Sequence, residues 1–136
     1  SRGLGDVYKR QPLPFVHMGS PIYLRGKSMP GPTWDEVVLI HALARIYFLN
    51  SIDNIQASWV KLGHDGAGKL LHAGVNDLGG TLINENISRA SGADHGQETT
   101  QKQFIEIITN EKKTPMLRNT LYTEFKKMEI AHINNE

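Results

Sequence analysis

Residues 54–62, Asn-Ile-Gln-Ala-Ser-Trp-Val-Lys-Leu, decide the fold. Their side chains alternate with a period of two. Ile55, Ala57 and Trp59 share one face and Gln56, Ser58 and Val60 the other, as on a β-strand. The first face suits packing beneath helices. The second carries an amide and a hydroxyl where a strand covered on both sides is apolar. An unpaired buried polar group costs roughly 1–3 kcal/mol, so Gln56 and Ser58 either bond each other or meet a ligand.

Outward toward the N-terminus, Thr33-Trp-Asp-Glu36 is a capping box that opens a helix over Trp34–Leu49. Asp35 and Glu36 suit the positive end of its dipole. Apolar side chains lie on nearly all sides of this helix, which predicts partners on more than one face. Pro12–Met18 reads as the end of a buried strand and Gly19–Pro32, broken by glycine and proline, as a loop. Outward toward the C-terminus, Asp65 caps a short helix over Gly66–Ala73, which Gly74 ends in the left-handed conformation. Val75–Ile83 is a short strand running into a tight loop, and Asn84–Ser91 a helical turn. Thr100-Gln-Lys-Gln103 is a second capping box, opening a helix with a stripe of Phe104, Ile105, Ile107 and Ile108. Thr114–Tyr122 is extended, and 123–136 is a charged, weakly helical tail. Strands alternating with helices predict an α/β fold: about three parallel strands with crossover helices, then C-terminal helices.

Net charge is +1, from 15 basic and 14 acidic side chains. That balance argues against a nucleic-acid partner, which needs a clustered basic surface. The sequence holds no apolar run long enough to span a membrane and no apolar core of a signal peptide, so a cytoplasmic protein is expected. Without cysteine the chain forms no disulfide, no thiolate zinc site and no cysteine-held cluster. The histidines show no metal-binding spacing, so no metal site is expected within the chain. Residues 1–11 lack periodicity and resemble a translated cloning or adaptor scar. They are set aside from fold reasoning, the alternative being a frayed natural terminus. On the scar reading the natural sequence begins abruptly near Pro12, inside a longer protein.

Seven strings stand in register: 12–17 (Pro-Leu-Pro-Phe-Val-His), 20–24 (Ser-Pro-Ile-Tyr-Leu), 30–33 (Pro-Gly-Pro-Thr), 54–63 (Asn-Ile-Gln-Ala-Ser-Trp-Val-Lys-Leu-Gly), 76–82 (Asn-Asp-Leu-Gly-Gly-Thr-Leu), 86–96 (Asn-Ile-Ser-Arg-Ala-Ser-Gly-Ala-Asp-His-Gly) and 118–122 (Arg-Asn-Thr-Leu-Tyr). Together they resemble the C-terminal half of the FO synthase subunit 2 (CofH) family over residues 12–122. The resemblance implies the C-terminal part of a radical-SAM (βα) barrel of TIM type. It further implies S-adenosylmethionine and a 4Fe–4S cluster, held by a Cys-x3-Cys-x2-Cys loop in the N-terminal half that this chain does not contain. The reaction implied is a transfer, of the EC 2.5.1 type, of the hydroxybenzyl part of tyrosine onto 5-amino-6-(D-ribitylamino)uracil in deazaflavin FO, hence coenzyme F420, biosynthesis. FO synthase subunit 1 enters as a separate partner or a fused domain. The chain alone is expected to be inactive.

In such barrels chemistry sits at the carboxyl ends of the strands. His17 closes the first strand there, as a substrate contact or as a structural histidine. Gln56 and Ser58 point inward, toward a uracil edge or toward each other. Gly79 and Gly80 let backbone approach a ligand, and their amides with Thr81 can hold a carboxylate. Asn76 and Asp77 can bind ribityl or ribose hydroxyls, or cap a tight turn. Glu85 and Arg89, four apart, form a surface pair, or Glu85 faces the site as a proton acceptor. Two other readings stay open. One is a sister radical-SAM enzyme of menaquinone synthesis, of the aminofutalosine or cyclic futalosine synthase type. The other is a non-catalytic half-barrel that only docks onto a partner.

Overall fold

A computed structural model describes residues 9–14, 19–81 and 99–129. The chain runs β1 (Lys9–Arg10), α1 (Pro21–Leu24), α2 (Trp34–Tyr47), β2 (Asn54–Ile55), α3 (Trp59–Leu70), α4 (Gln101–Asn110), β3 (Met116–Arg118) and β4 (Phe125–Lys127). β1 pairs parallel with β2, Lys9 opposite Asn54 and Arg10 opposite Ile55. A parallel bridge between Gln56 and Asp77 adds a third extended segment beside β2. Three segments separated by α2 and α3 thus give the expected parallel α/β order. The sheets among the described residues are small, and no closed barrel is formed by them.

Both capping boxes form. Thr33 Oγ1 accepts from the Glu36 amide at 3.3 Å while the Thr33 amide donates to Glu36 Oε2 at 2.7 Å. Thr100 and Gln103 repeat the arrangement at 3.3 and 2.8 Å. Each box satisfies amides that a helix start otherwise leaves unpaired. Two helix lengths differ from expectation. α2 ends at Tyr47, two residues early. α3 begins at Trp59, where the alternating pattern predicts strand, and Gly63 (φ +69) kinks it. The strand reading of 54–62 therefore holds only for its first residues. Ile55, Gln56, Ala57, Ser58, Trp59 and Val60 are all buried, so alternation there marks no exposed face.

The core gathers Val37 and Ala44 of α2, Ile55 and Ala57, Trp59, Val60, Ala67 and Leu70 of α3, then Val75 and Leu78, with Phe104, Ile107 and Ile108 of α4 against it. Gly68 sits where α4 crosses: a Cβ there would stand 3.2 Å from Ile107 Cγ2. α3 ends at Leu70, three residues before the predicted Ala73, and Gly74, expected as its left-handed stop, takes φ +91 at the end of the turn that follows. The strand expected within 12–18 is not found in its described part; pairing falls earlier, on Lys9–Arg10, inside the segment set aside as a scar. The expected C-terminal helices resolve into α4 and an antiparallel hairpin, β3–β4, with Met116 opposite Lys127. Phe125–Lys127 is thus strand, not the start of a helical tail. Lys126 and Lys127 flank no apolar helical stripe, and pairing with β3 supplies the backbone bonds instead.

His41 is wholly buried on α2. Its Nδ1 lies 2.7 Å from the Val37 carbonyl, and its Nε2 has no hydrogen-bond partner. Burial lowers its pKa below the ordinary 6.5, against a smaller upward pull from that hydrogen bond. The folded state therefore disfavours the imidazolium that the unfolded chain accepts. Stability from this site is present above 6.5 and falls as pH drops through 6.5 toward the lower folded value. Urea unfolding at a series of pH values should show a loss between pH 7 and 5 that His41→Leu makes shallower. An unchanged slope in the variant would rule this site out as a contributor.

Candidate functional site

Three parallel segments present their carboxyl ends on one side. The register is fixed by backbone bonds from Gln56 N to Arg10 O (2.7 Å), Asn76 N to Ile55 O (3.1 Å) and Ala57 N to Asp77 O (2.9 Å). Ligands of parallel α/β folds bind at such ends. Gln56, Ser58, Asp77, Gly79, Gly80 and Thr81 are gathered here.

Adjacent residues on the third segment serve opposite ends. Asn76 belongs to the lower end. Its Oδ1 accepts from Arg45 Nη2 (2.8 Å) and from the Ile55 amide (2.9 Å), and its Nδ2 donates to Asp53 O (3.2 Å) and Asn54 Oδ1 (3.3 Å). Arg45 completes this brace through Nε to Gly74 O (2.8 Å) and Nη1 to Asp53 O (2.7 Å). Both ends of the Asn76 amide are thus engaged within the fold.

Asp77 belongs to the upper end, and its side chain is nearly buried. Its Oδ1 accepts from the Gly79 amide at 2.6 Å, tightening the loop into an Asx turn. Its Oδ2 accepts from Arg118 Nε (3.0 Å), Arg118 Nη2 (2.9 Å) and the Tyr122 hydroxyl. Burial raises the Tyr122 pKa well above that of an ordinary phenol, and the hydrogen bond to Asp77 adds to this, so Tyr122 stays a donor. The Arg118 guanidinium lies 4.1 Å from the Tyr122 ring centroid. Sequence reasoning missed both residues because they stand 41 and 45 positions from Asp77. The signal was present in Arg-Asn-Thr-Leu-Tyr at 118–122, which served there only as a mark of resemblance.

Gly79 (φ +81) lies directly over Gln56, whose amide nitrogen any Cβ at this position would strike. Gln56 Oε1 accepts from Lys9 Nζ. Gly80 accepts through its carbonyl from Trp59 Nε1 at 3.2 Å, and a Cβ on it would meet nothing within 4 Å. Gly80 and Thr81 are exposed, the open part of the loop. Ser58 stands before α3 and makes no side-chain cap. His64 Nε2 contacts Thr99 Oγ1 at 2.7 Å beside this end, a pair not foreseen. His17, Glu85 and Arg89 lie outside the described residues. No group of acidic or histidine side chains that could hold a metal occurs among the described residues, and no described helix is long and apolar enough to cross a membrane.

Comparison with known proteins adds a second line. Residues 11–131 match the family described as the CofH/MqnC C-terminal region. The chain is 53% identical over 115 residues to the 5-amino-6-(D-ribitylamino)uracil–L-tyrosine 4-hydroxyphenyl transferase of Methanopyrus kandleri, covering 85% of this chain and 31% of that protein. It is 46% identical over 113 residues to the protein of the same name from Methanothermobacter thermautotrophicus, covering 83% and 31%. It is 47% identical over 111 residues to the FO synthase of Mycobacterium leprae, covering 82% and 13%. The chain therefore spans a minor part of the length of each relative. No solved structure matches it.

Proposed function

The chain belongs to the family of CofH/MqnC C-terminal regions, and from that premise we propose that it is the C-terminal segment of a radical-SAM transferase of FO biosynthesis, class EC 2.5.1. In this reading it closes a (βα) barrel whose other strands come from a longer polypeptide. The whole enzyme joins the hydroxybenzyl group of tyrosine to 5-amino-6-(D-ribitylamino)uracil in the cytoplasm, with FO synthase subunit 1 as partner or fused domain. The names of the three relatives support the FO branch over the menaquinone-pathway alternative.

One observation carries the reading on the structural side. Gln56, Ser58 and the Asp77–Thr81 loop collect at the carboxyl ends of parallel segments, where such enzymes bind their substrates. The proposed roles follow from chemistry. The Gln56 amide and Ser58 hydroxyl offer donors and acceptors to a uracil edge. Gly80 and Thr81 present open backbone to a carboxylate or a hydroxyl. Asp77 acts through the loop it holds, and Asn76 through the register it fixes. His17 and Glu85 are assigned proton transfer and Arg89 substrate contact.

The 4Fe–4S cluster does not fit this chain by itself, since there is no cysteine to hold it. Among the described residues, S-adenosylmethionine has no independent mark at the strand ends: the buried side-chain polar atoms without partners there are Ser20 Oγ, Ser28 Oγ and His41 Nε2, none of them on these segments. The chain alone is accordingly assigned no turnover.

Reading the source DNA upstream of the Pro12 codon and expressing the frame found there tests the proposal. A frame with Cys-x3-Cys-x2-Cys, whose reconstituted product makes the hydroxybenzyl adduct of the ribitylaminouracil, is expected. A frame without that motif, or a reconstituted protein that consumes neither substrate, would sink it.

A further inference from the structure

We infer that Arg118 and Tyr122, on the β3–β4 hairpin, are positioning residues of the strand-end site: they hold Asp77, and through it the Gly79–Gly80 backbone that faces the substrate. The inference rests on the proposed function for what binds there, but not for the geometry. Asp77 is one carboxylate shared between two tasks. One oxygen turns the Gly79 amide inward at 2.6 Å, and the other is held by Arg118 and Tyr122. A carboxylate free to rotate would release the Gly79 amide, and the loop would keep only the Trp59 Nε1 bond to the Gly80 carbonyl among the side-chain bonds described for it. Tyr122 and Arg118 remove that freedom by fixing the second oxygen from two directions.

The hairpin is built for this task. Its connection is closed by Asn119, which donates through Nδ2 to Thr123 Oγ1 (2.7 Å) and accepts through Oδ1 from the Thr123 amide (3.0 Å). The Tyr122 amide donates to Asn119 O at 3.3 Å. Tyr122 itself adopts φ +58, a left-handed conformation that costs a bulky side chain energy. That strain accompanies the placement of its hydroxyl on Asp77. Arg118 also donates through Nη1 to Asn119 O at 3.2 Å, tying the guanidinium to the same turn. The Asn119 lock, the strained Tyr122 and the forked Arg118 all serve a hairpin whose exposed strands contribute little to the core.

Tyr122→Phe separates positioning from bulk structure, because it keeps the ring over Arg118 and removes only the hydroxyl. Hydrogen exchange of the chain, followed by mass spectrometry, reads the loop without any need for catalysis. Exchange over residues 76–81 should quicken about tenfold in Tyr122→Phe while α3 stays as in the wild type. In the expressed full-length enzyme, KM for one of the two substrates should rise about tenfold with kcat within twofold, and Arg118→Lys should recover part of what Arg118→Ala loses. Unchanged exchange over 76–81 overturns the inference. So does faster exchange with KM unmoved, which would make the contact structural only. A wild-type enzyme that turns over neither substrate refutes the proposed function instead, and the exchange result still decides whether the hairpin sets the loop.

Discussion

Gly74→Ala is expected to destabilise the fold by about 3 kcal/mol, combining roughly 1–3 kcal/mol of backbone strain with a similar cost of overpacking. Gly74 sits at φ +91, and a Cβ on it would stand 2.6 Å from Arg45 Cβ and 2.9 Å from Arg45 Cγ. The clash falls on the stem of a side chain pinned at three places, Gly74 O, Asp53 O and Asn76 Oδ1, so Arg45 cannot move aside without releasing all of them. Gly80→Ala is the control: nothing lies within 4 Å of its Cβ position, so the change should stay within about 0.5 kcal/mol. Urea unfolding followed by the fluorescence of buried Trp59 measures both. A Gly74 variant as stable as the Gly80 variant would refute the account of this corner.

Arg118→Met is expected to cost about 2 kcal/mol. Breaking a fully buried ion pair by removing one partner costs about 3–5 kcal/mol. Arg118 keeps 23% of its side chain exposed, so solvent screens part of that cost, while Asp77 at 6% is left with a buried charge. Adding Asp77→Asn removes the stranded charge yet keeps an acceptor for the Gly79 amide. The double variant should therefore be more stable than Arg118→Met alone. A double-mutant cycle by urea unfolding checks this, and strictly additive losses would mean that the two side chains do not interact.

Helix starts were legible where a short local rule governs them. Thr33 with Glu36, and Thr100 with Gln103, need only residues three apart. The β2–α3 junction was not, because local alternation and tertiary burial point different ways. A period of two is informative only when one face meets water, and here Gln56 and Ser58 are as covered as Ile55 and Ala57. The start of α3 was misplaced for a related reason: the helix was read from Gly66, yet it begins at Trp59, and Gly66 and Gly68 lie inside it where Trp34 and Ile107 pack closest. The strand-end cluster was half legible. The loop 76–81 stood out by its composition, but the opposite duties of Asn76 and Asp77 depend on Arg45 and Arg118, both distant in sequence. The hairpin was hidden because Phe125–Lys127 is exposed throughout and carries no buried stripe to read.

The two braces share no residue. Arg45 and Asn76 fasten the amino-terminal ends of the segments, while Asp77, Arg118 and Tyr122 fasten the carboxyl-terminal ends, and the handover falls on a single peptide bond between Asn76 and Asp77. For evolution this is a division of risk. Lineages can exchange the exposed Gly80 and Thr81, and the register of the sheet survives because it is guarded from the other end. A library randomised over residues 80–81 would therefore explore recognition with few losses to misfolding, whereas one touching Arg45, Gly74 or Asn76 would return mostly unfolded chains.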